Sequence, residues 1–306
     1  MREIVLQTKQ LSKRYKDFTA LDRADMTVYG GDIYGLIGRN GAGKTTIMKI
    51  VTGLTEKSDG EFEIFSKSGN SAQNEKRRIG CLIENPAFFG SLTAYQNLKY
   101  YALQKGIADS KQIDEALALV GLSDVKNKKF RKFSLGMKQR LGIAFAVMDN
   151  PDLIILDEPI NGLDPIGISE LRDTFKKLNR ERGVTLIISS HILSELYMVA
   201  NRFLFIEKGR VLKEITKEEL DLECMRCHVV KTDDVKRAAA VIEQQLGVTD
   251  YKVIDSGELR IYNDKIKSDD LNKTLIQNSV SVTGLFETGI SLEDYFKSLV
   301  GGENND

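Results

Sequence analysis

An aliphatic segment passes directly into a glycine-rich loop in the run Ile33-Tyr34-Gly35-Leu36-Ile37-Gly38-Arg39-Asn40-Gly41-Ala42-Gly43-Lys44-Thr45-Thr46. Ile33 to Ile37 predicts a buried strand, and the pattern after the loop predicts a helix that begins at Lys44 and ends at Gly53. Residues 38–45 match the phosphate-loop pattern Gly-x4-Gly-Lys-Thr in the strand-to-helix context that gives this pattern its meaning. The run therefore predicts an α/β domain built around a phosphate-binding loop.

The residue types of this loop suit a nucleoside triphosphate. Backbone N–H groups approach phosphate closely where glycine leaves out the Cβ atom, and the N-terminus of a helix carries positive partial charge. Lys44 would supply an ammonium group for the outer phosphates, and Thr45 would place its hydroxyl on Mg²⁺. A glycine-rich turn without a ligand is the alternative. The residues predicted to contact ATP are Gly38, Arg39, Asn40, Gly41, Ala42, Gly43, Lys44, Thr45 and Thr46.

A second predicted buried strand, Leu153 to Leu156, ends in two adjacent carboxylates, Asp157 and Glu158. Neighbouring carboxylates repel each other, so their juxtaposition needs a reason. We expect Asp157 to bind Mg²⁺ and Glu158, which points elsewhere, to polarise an attacking water as general base. Two solvated acids at the end of a strand are the alternative.

The organisation up to about residue 215 is that of an α/β domain with a largely parallel sheet, because short aliphatic runs alternate with longer helical patterns. Residues 88–150 are predominantly helical, and they predict a helical subdomain inserted in the sheet domain. A further buried strand is predicted at 184–189. Near the end of the domain, 203–207 and 210–214 predict a hairpin around Lys208-Gly209.

Residues 216–306 change in character and predict a small separate domain. Its predicted order of elements is βαββαβ, which is typical of a ferredoxin-like α+β fold. No catalytic constellation is found there, so we expect a regulatory or dimer-supporting role.

Cys224, Cys227 and His228 form the spacing Cys-x-x-Cys-His that is used for covalent haem attachment. Haem attachment and half of a zinc site are two alternatives. The first normally accompanies export, and the second lacks another ligand pair, since Cys81 and His191 are distant in the sequence. We therefore interpret the motif as a junction between a helix and a strand.

Composition excludes some partners. The 44 lysines and arginines balance the 44 aspartates and glutamates, so no bulk field favours nucleic acid. The first ten residues do not predict a secretory signal, and three cysteines suggest a reducing compartment. The longest apolar runs are far shorter than the roughly 20 residues needed to cross a bilayer. If a membrane is involved, we expect another chain to cross it.

The run Ser134-Leu135-Gly136-Met137-Lys138-Gln139-Arg140 resembles the signature sequence of ABC-type ATPases, in the form Ser-x-Gly-x-x-Gln. Ser134 is predicted to cap a helix whose N-terminus attracts an anion. In the family, this anion is the γ-phosphate held by the phosphate loop of the opposite subunit. The resemblance covers about residues 3–215. It implies a P-loop NTPase fold and a head-to-tail dimer enclosing two ATP molecules, with Ser134 and Gly136 at the nucleotide.

Three further residues follow the family's order. Tyr15 stands where an aromatic ring stacks on adenine, although a lone tyrosine is about as often a core residue. Asp164, in Asn161-Gly162-Leu163-Asp164, resembles the D-loop that bridges the two subunits, and with Pro165 it also predicts a helix start. His191 matches the switch histidine that contacts the γ-phosphate and stabilises the transition state.

One position departs from the family pattern. Glu84 stands where a glutamine usually ends the strand before the helical subdomain. A carboxylate oxygen ligates Mg²⁺ directly or through water, but it adds charge beside the metal. We therefore expect Thr45, Asp157 and Glu84 to be the metal ligands. Glu84, the segment Asn85 to Phe89 and the C-terminal extension are similar to ATP-binding subunits of bacitracin and lantibiotic self-protection exporters.

An aromatic cluster lies where members of the family receive a coupling helix from the permease. A docking groove for the permease and packing within the helical subdomain are equally supported by the sequence. The cluster consists of Phe88, Phe89, Tyr95, Tyr100 and Tyr101.

The resemblance implies an ATP-hydrolysing subunit that dimerises on ATP and drives a separate integral-membrane permease, with a peptide antibiotic as cargo. We expect it to lie in the cytoplasm, peripherally on the inner face of the membrane, as a homodimer and without a nucleic-acid partner. A soluble ABC ATPase acting on ribosomes or nucleic acid is one alternative, disfavoured by the single cassette, the lack of sustained heptads and the balanced charge. A regulatory module that binds ATP without turnover is another, disfavoured by the presence of Glu158 and His191.

Overall fold

The computed structural model of the chain describes residues 2–84, 87–107, 109–224, 227–263 and 266–301. These residues form two compact units, one ending at Lys217 and one running from Glu218 to Gly301. Asn85 and Pro86 of the exporter-like segment, and Met225 and Arg226 of the Cys-x-x-Cys-His motif, lie outside the described residues.

The first unit contains ten strands and seven helices among its described residues. In chain order they are β1 (Ile4–Tyr15), β2 (Phe18–Tyr29), β3 (Ile33–Ile37), α1 (Lys44–Thr52), β4 (Asp59–Ile64), β5 (Lys67–Ser68), α2 (Gly69–Glu75), β6 (Ile79–Leu82), α3 (Ala94–Gln104), α4 (Ser110–Leu119), α5 (Leu135–Val147), β7 (Leu153–Leu156), α6 (Pro165–Arg182), β8 (Thr185–Ser190), α7 (Leu193–Tyr197), β9 (Arg202–Glu207) and β10 (Arg210–Thr216).

The central sheet of this unit has the order β10-β9-β3-β8-β7-β6. All its pairs are parallel except the hairpin of β9 and β10, in agreement with the predicted largely parallel sheet. Strands β3, β7 and β8 are buried at every residue, as expected of strands covered on both faces. Since parallel strands end at one edge, the loops after β3, β6, β7 and β8 meet there.

A second, antiparallel sheet with the order β2-β1-β4-β5 was not predicted. Its long strands β1 and β2 alternate charged and apolar residues, which is the pattern of a sheet with one solvated face. Leu6, Leu11, Leu21 and Val28 are buried in one core that also includes side chains of α1. The sheet therefore supports the helix that follows the phosphate loop.

The predicted helical subdomain is present as α3, α4 and α5, inserted between the neighbouring strands β6 and β7. Each helix has a side-chain cap at its N-terminus. Thr93 forms a reciprocal capping box with Gln96 at the start of α3, and Ser134 caps α5. The subdomain thus places the N-terminus of α5, with the signature sequence, at a defined point.

The second unit is ferredoxin-like, as predicted. Its described elements are α8 (Lys217–Cys224), β11 (Cys227–Thr232), α9 (Val235–Leu246), β12 (Tyr251–Val253), β13 (Glu258–Ile261), α10 (Ser268–Gln277), β14 (Val282–Thr288) and α11 (Leu292–Gly301). The sheet order is β12-β13-β11-β14, with every pair antiparallel. Leucine, isoleucine and valine side chains of β11, β13, α9 and α10 share one buried core.

Candidate active site

The phosphate loop has the backbone that its glycines allow. Gly41 and Gly43 have φ values of +82° and +113°, a region that other residues adopt only under strain. A Cβ atom on Gly38 would lie 2.3 Å from the carbonyl oxygen of Ile206, so only glycine fits there. Helix α1 begins directly after Gly43, and its free N–H groups face the loop.

The side chain of Lys44 is held inside this loop. It is 5% exposed, and its Nζ donates hydrogen bonds to the carbonyl oxygens of Gly38 at 2.6 Å and Arg39 at 3.2 Å. The same Nζ lies 3.1 Å from Oε1 of Glu158. The ammonium is thereby fixed between the loop backbone and the carboxylate that follows β7.

Asp157 connects three elements of the sheet edge. Its Oδ2 accepts a hydrogen bond from the Thr45 hydroxyl at 2.8 Å, and its Oδ1 accepts one from Ser189 at 2.6 Å. The Ser189 oxygen in turn accepts a hydrogen bond from the backbone N–H of Glu158 at 2.8 Å. A carboxylate and a hydroxyl, both hard oxygen ligands, are therefore adjacent where a magnesium site is predicted.

Glu158 lies between the ammonium group of Lys44 and the imidazole of His191. Its Oε2 is 2.9 Å from Nδ1 of His191, and its Oε1 faces Lys44. The backbone of Glu158 has φ +47°, a conformation that costs a non-glycine residue about 1–2 kcal/mol. Strain of this kind persists where the surroundings fix a residue, and the side-chain partners of Glu158 differ from those of Asp157.

Glu84 follows β6 and is also in the left-handed region, with φ +63°. Its Oε1 lies 2.5 Å from Nζ of Lys49, a residue of α1. The hydrogen bond to Glu84 raises the pKa of the Lys49 ammonium. Glu84 therefore emerges at the sheet edge that carries Asp157, but its described partner is Lys49. Metal ligation by Glu84 stays a prediction.

The start of α5 contacts the segment 161–164 after β7. Ser134 Oγ accepts a hydrogen bond from the N–H of Met137 at 3.3 Å, which is an N-cap contact. Gln139 Nε2 donates to the carbonyl oxygen of Asn161 at 3.1 Å, and a Cβ atom on Gly162 would lie 2.7 Å from Leu135. The structure thus joins two motifs that are more than twenty residues apart in sequence.

We call this face the signature surface, and it consists of Ser134, Leu135, Gly136, Gln139 and residues 161–164. A Cβ atom on Gly136 would lie 3.1 Å from the Leu163 side chain, and Asp164 caps α6 by accepting a hydrogen bond from Gly167 at 2.9 Å. The described contacts of Ser134, Gly136 and Asp164 lie within this surface or at the start of α6. The described contacts of Lys44, Thr45, Asp157, Glu158 and His191 instead join them into one cluster.

Tyr15 ends β1 and is 47% exposed. Lys13 Nζ lies 4.7 Å from the centre of its ring. This exposure does not fit the alternative in which Tyr15 is a core residue. The ring is accessible for stacking, and its contact with adenine stays a prediction.

Two residues that contact Asp157, Glu158 or Glu84 were missed from the sequence. Ser189 was predicted only as the last residue of a strand, yet its hydroxyl contacts both Asp157 and Glu158. A small polar residue directly after the aliphatic run Leu186 to Ile188 is the signal that points to it. Lys49 is four residues after Thr45, so the two side chains share one face of α1.

The aromatic cluster divides into two parts. Phe88 packs edge-on against Tyr101 with ring centres 5.8 Å apart, which is internal packing. Phe89 and Tyr100 pack on each other at 5.1 Å and remain half exposed. A groove of about 270 Å³ lies beside them. Its lining includes Leu54, Cys81, Leu82, Ile83, Ala87, Phe88, Tyr101 and Phe145.

The Cys-x-x-Cys-His motif lies at a helix-to-strand junction, since α8 ends at Cys224 and β11 begins at Cys227. Burial raises the pKa of the Cys224 thiol to about 11, which keeps it protonated at neutral pH. His228 is buried, with Nε2 2.8 Å from the carbonyl oxygen of Ile266 and Nδ1 3.1 Å from Ser268 Oγ. Both ring nitrogens are thus engaged by protein groups.

Comparison with known proteins assigns the family. The ABC transporter family profile matches residues 21–161. The bacitracin transport ATP-binding protein BcrA of Enterococcus faecalis is 40% identical over 301 residues, covering 98% of this chain and 97% of that protein. The chain belongs to the ABC transporter ATP-binding proteins. The residues matched by the family profile lie in the first unit.

Two further relatives share this assignment. BcrA of Bacillus licheniformis is 42% identical and covers 97% of this chain and 98% of the relative. The lantibiotic transport ATP-binding protein SrtF of Streptococcus pyogenes is 44% identical over 210 residues, which are 69% of this chain and 90% of the relative. The 301-residue match to BcrA extends well beyond the cassette into the second unit.

Solved ABC structures share the fold of the cassette. CbiO1 of Clostridium perfringens, part of the CbiONQ transporter complex, has a TM-score of 0.64 at 27% identity and covers 72% of this chain and 92% of that chain. The dimeric cassette MJ0796 with ADP and phosphate also has a TM-score of 0.64, at 25% identity, covering 69% and 98%. This ABC-type protein is an ATP hydrolase. Within the described residues, no helix is both long and apolar enough to cross a membrane.

Proposed function

We propose that the chain is the ATP-hydrolysing subunit of an exporter that removes a peptide antibiotic such as bacitracin or a lantibiotic. The observation that carries this proposal is the similarity to bacitracin transport proteins over nearly the full length of both chains. That similarity extends through the second unit. The Glu84 departure is also consistent with this type of exporter.

In the proposed mechanism, Lys44 and the loop N–H groups bind the outer phosphates of ATP. Glu158 accepts a proton from the attacking water, and His191 and Lys44 stabilise the charge that develops on the γ-phosphate oxygens. The contacts of Glu158 support this, because each of its carboxylate oxygens is already placed within 3.1 Å of one of these two groups. Tyr15 stacks on the adenine.

Thr45 and Asp157 fit a magnesium ion, since their oxygens are 2.8 Å apart at the end of the phosphate loop. Bound Mg²⁺ would neutralise charge on the phosphate oxygens during transfer. Mg²⁺ in phosphoryl-transfer sites usually takes only one or two carboxylates and completes its shell with phosphate and water. The described residues accordingly hold no cluster of three or more acidic, histidine or cysteine side chains arranged for a metal.

A second copy of the chain would complete the site. The N-terminus of α5 offers backbone N–H groups and positive partial charge to an anion, and Leu135 beside it is 49% exposed. We propose that Ser134, Gly136 and Asp164 approach the ATP held by a partner's phosphate loop. The dimeric structure of the related cassette MJ0796 supports this arrangement.

Coupling to transport would take place through integral-membrane permease subunits, which hold this peripheral protein at the inner face of the membrane. The groove lined by Phe88 and Tyr101, with Phe89 and Tyr100 half exposed beside it, is the proposed docking site for the permease. Closing and reopening of the dimer would then move the permease between conformations.

Complementation in a host strain that lacks this gene tests the proposed cargo. Cells expressing the parental protein should tolerate a higher concentration of bacitracin or of a lantibiotic than cells expressing Glu158→Gln. Lys126→Met is the matched control. It removes a surface charge within the helical subdomain, away from the cluster that contains Lys44 and Glu158. Equal tolerance of the parental and Glu158→Gln strains to both classes of peptide would contradict the cargo assignment and leave the ATPase assignment in place.

A further inference from the structure

Lys49 lies beside the proposed magnesium site. It is four residues after Thr45, on the same face of α1 and about one helical turn further along. Glu84, its partner, follows β6, the strand adjacent to the one that carries Asp157. The N–H of Asp157 donates to the carbonyl oxygen of Leu82 at 2.8 Å, which fixes the ends of these two strands side by side. The pair therefore belongs to the metal side of the phosphate loop.

The contact between the two side chains is short and only partly shielded from water. Lys49 Nζ lies 2.5 Å from Glu84 Oε1, while the two side chains are 32% and 62% exposed. Lys49 Nζ donates this hydrogen bond and the Glu84 carboxylate accepts it. The ammonium is therefore held at the carboxylate by both charge and a hydrogen bond, while both groups remain accessible to solvent.

The ion pair also bears on the strained backbone of Glu84. A glutamate with φ +63° is held in place by its surroundings, and the described side-chain partner of Glu84 is Lys49. Loss of Lys49 would therefore free the Glu84 carboxylate, while Asp157 would keep its described side-chain partners Thr45 and Ser189.

We propose that Lys49 is a positioning residue that occupies the Glu84 carboxylate until nucleotide-bound Mg²⁺ competes for the same oxygen. The inference rests on the proposed magnesium site. A carboxylate oxygen at hydrogen-bond distance from an ammonium does not at the same time sit about 2.1 Å from Mg²⁺ without bringing two cations together. Lys49 and the metal are therefore alternative partners of Glu84, and the exchange ties the position of this residue to the metal.

In this role Lys49 weakens the apparent affinity for the metal, and it does so only by occupying the Glu84 carboxylate. Direct contact of Lys49 with a phosphate is a different role. It predicts the opposite effect, because its loss would then weaken the complex of nucleotide and metal. Direct repulsion of the metal is a third role, and it predicts an effect of Lys49 that is independent of Glu84.

The test is a titration of Mn²⁺, as a paramagnetic probe for the magnesium site, in the presence of saturating non-hydrolysable AMP-PNP. Electron paramagnetic resonance reports free Mn²⁺ without any turnover. We expect Lys49→Met to lower the Mn²⁺ Kd by about 3- to 5-fold, the factor that corresponds to loss of one partly exposed ion pair. Lys49→Arg keeps the cation and should stay within about twofold of the parental Kd.

The double variant decides between the roles. Glu84→Gln should weaken Mn²⁺ binding, and Lys49→Met/Glu84→Gln should match Glu84→Gln because Lys49 no longer has a carboxylate to occupy. Lys126→Met is the charge-matched control, since Lys126 pairs with Asp114 at 2.8 Å elsewhere in the unit, and its Kd should equal the parental one. Melting temperatures of all variants, which should agree closely, show that the fold is intact.

Four results would overturn the inference. A Kd that is unchanged in Lys49→Met shows that the metal does not compete with Lys49, and a weaker one assigns Lys49 to the nucleotide. A shift of equal size with and without Glu84 assigns it to direct repulsion. A parental protein that binds AMP-PNP but no Mn²⁺ would remove the metal site together with this inference. Antibiotic tolerance of the host strain would still test the transport role independently.

Discussion

The phosphate-loop cluster and the signature surface differ in how their polar groups are used. In the cluster, Lys44, Asp157 and Glu158 contact one another or shared neighbours, so the groups proposed for chemistry are assembled by a single chain. On the signature surface, Ser134 and Asp164 cap their own helices, while Leu135 and Ile166 beside them are 49% and 70% exposed. The cluster is internally connected and the signature surface faces outward, an asymmetry that the proposed head-to-tail dimer would use.

Replacement of Glu158 by glutamine tests the phosphate-loop cluster, and it is the variant with the largest expected effect. The amide keeps the shape of the side chain but cannot accept a proton from water, so kcat should fall by about 10²- to 10⁴-fold. ATP binding should persist, and the dimer should accumulate with ATP. Steady-state phosphate release and size-exclusion chromatography measure the two outcomes. Turnover at the parental rate would remove Glu158 from its proposed role.

Lys44→Ala tests the same half at the level of binding. It removes a buried ammonium that sits inside the loop and leaves Glu158 without its cation, so the Kd for ATP should rise at least about 100-fold. Fluorescence titration with a labelled nucleotide measures the affinity. Lys126→Met, whose lysine lies in the helical subdomain, is the control. An unchanged affinity would contradict the assignment of the phosphate loop.

Ser189→Ala is a more selective test of the cluster. Ser189 contacts Asp157 and the backbone of Glu158, but it takes no part in the proposed proton transfer from water to Glu158. Its loss leaves Asp157 Oδ1 and the N–H of Glu158 without their described partner, and we expect kcat to fall about 10-fold with little change in KM. Ser189→Thr keeps the hydroxyl and should recover part of the rate. An unchanged kcat in Ser189→Ala would contradict a positioning role for this hydroxyl.

Ser134→Ala tests the outward half against a matched helix cap, Thr93 of α3. Ser134→Ala and Thr93→Ala each remove one N-cap side chain, and each should lower the free energy of unfolding by about 1 kcal/mol. Only Ser134→Ala should also weaken dimer formation on ATP, by a few-fold, when both are measured in the Glu158→Gln background by analytical ultracentrifugation. Equal dimer affinity in the two variants would confine Ser134 to capping.

Local sequence patterns were sufficient for the parts of the molecule that depend on local chemistry. Gly38 and Gly43 could be identified from spacing, because only glycine tolerates the close approach at Gly38 and the positive φ value at Gly43. The same spacing identified Lys44. The βαββαβ order of the second unit followed from periodicity, and the structure confirms it. The fully buried strands β3 and β7 were identified for the same reason, since continuous aliphatic runs are typical of a covered sheet.

What the sequence did not predict depends on contacts across the fold. The antiparallel sheet of β1, β2, β4 and β5 was not predicted, and its order is set in part by the pairing of β1 with β4, strands more than 40 residues apart such as at Ser12 and Asp59. The ion pair of Lys49 with Glu84 joins positions 35 residues apart, and the Ser189–Asp157 hydrogen bond joins positions 32 apart. A pattern of neighbouring residues cannot predict a contact between positions so far apart in the sequence.

Glu84 and Glu158 share a backbone conformation in which glycine would be more comfortable. The left-handed conformation costs each acid about 1 kcal/mol of folding free energy. At Glu84, whose exposed ion pair with Lys49 contributes little to stability, glycine would regain this free energy. At Glu158, glycine would leave the buried Lys44 without its carboxylate, so the gain would be offset. Heat resistance and function are thus opposed at Glu84, and a stabilised version of this ATPase should be engineered elsewhere in the chain.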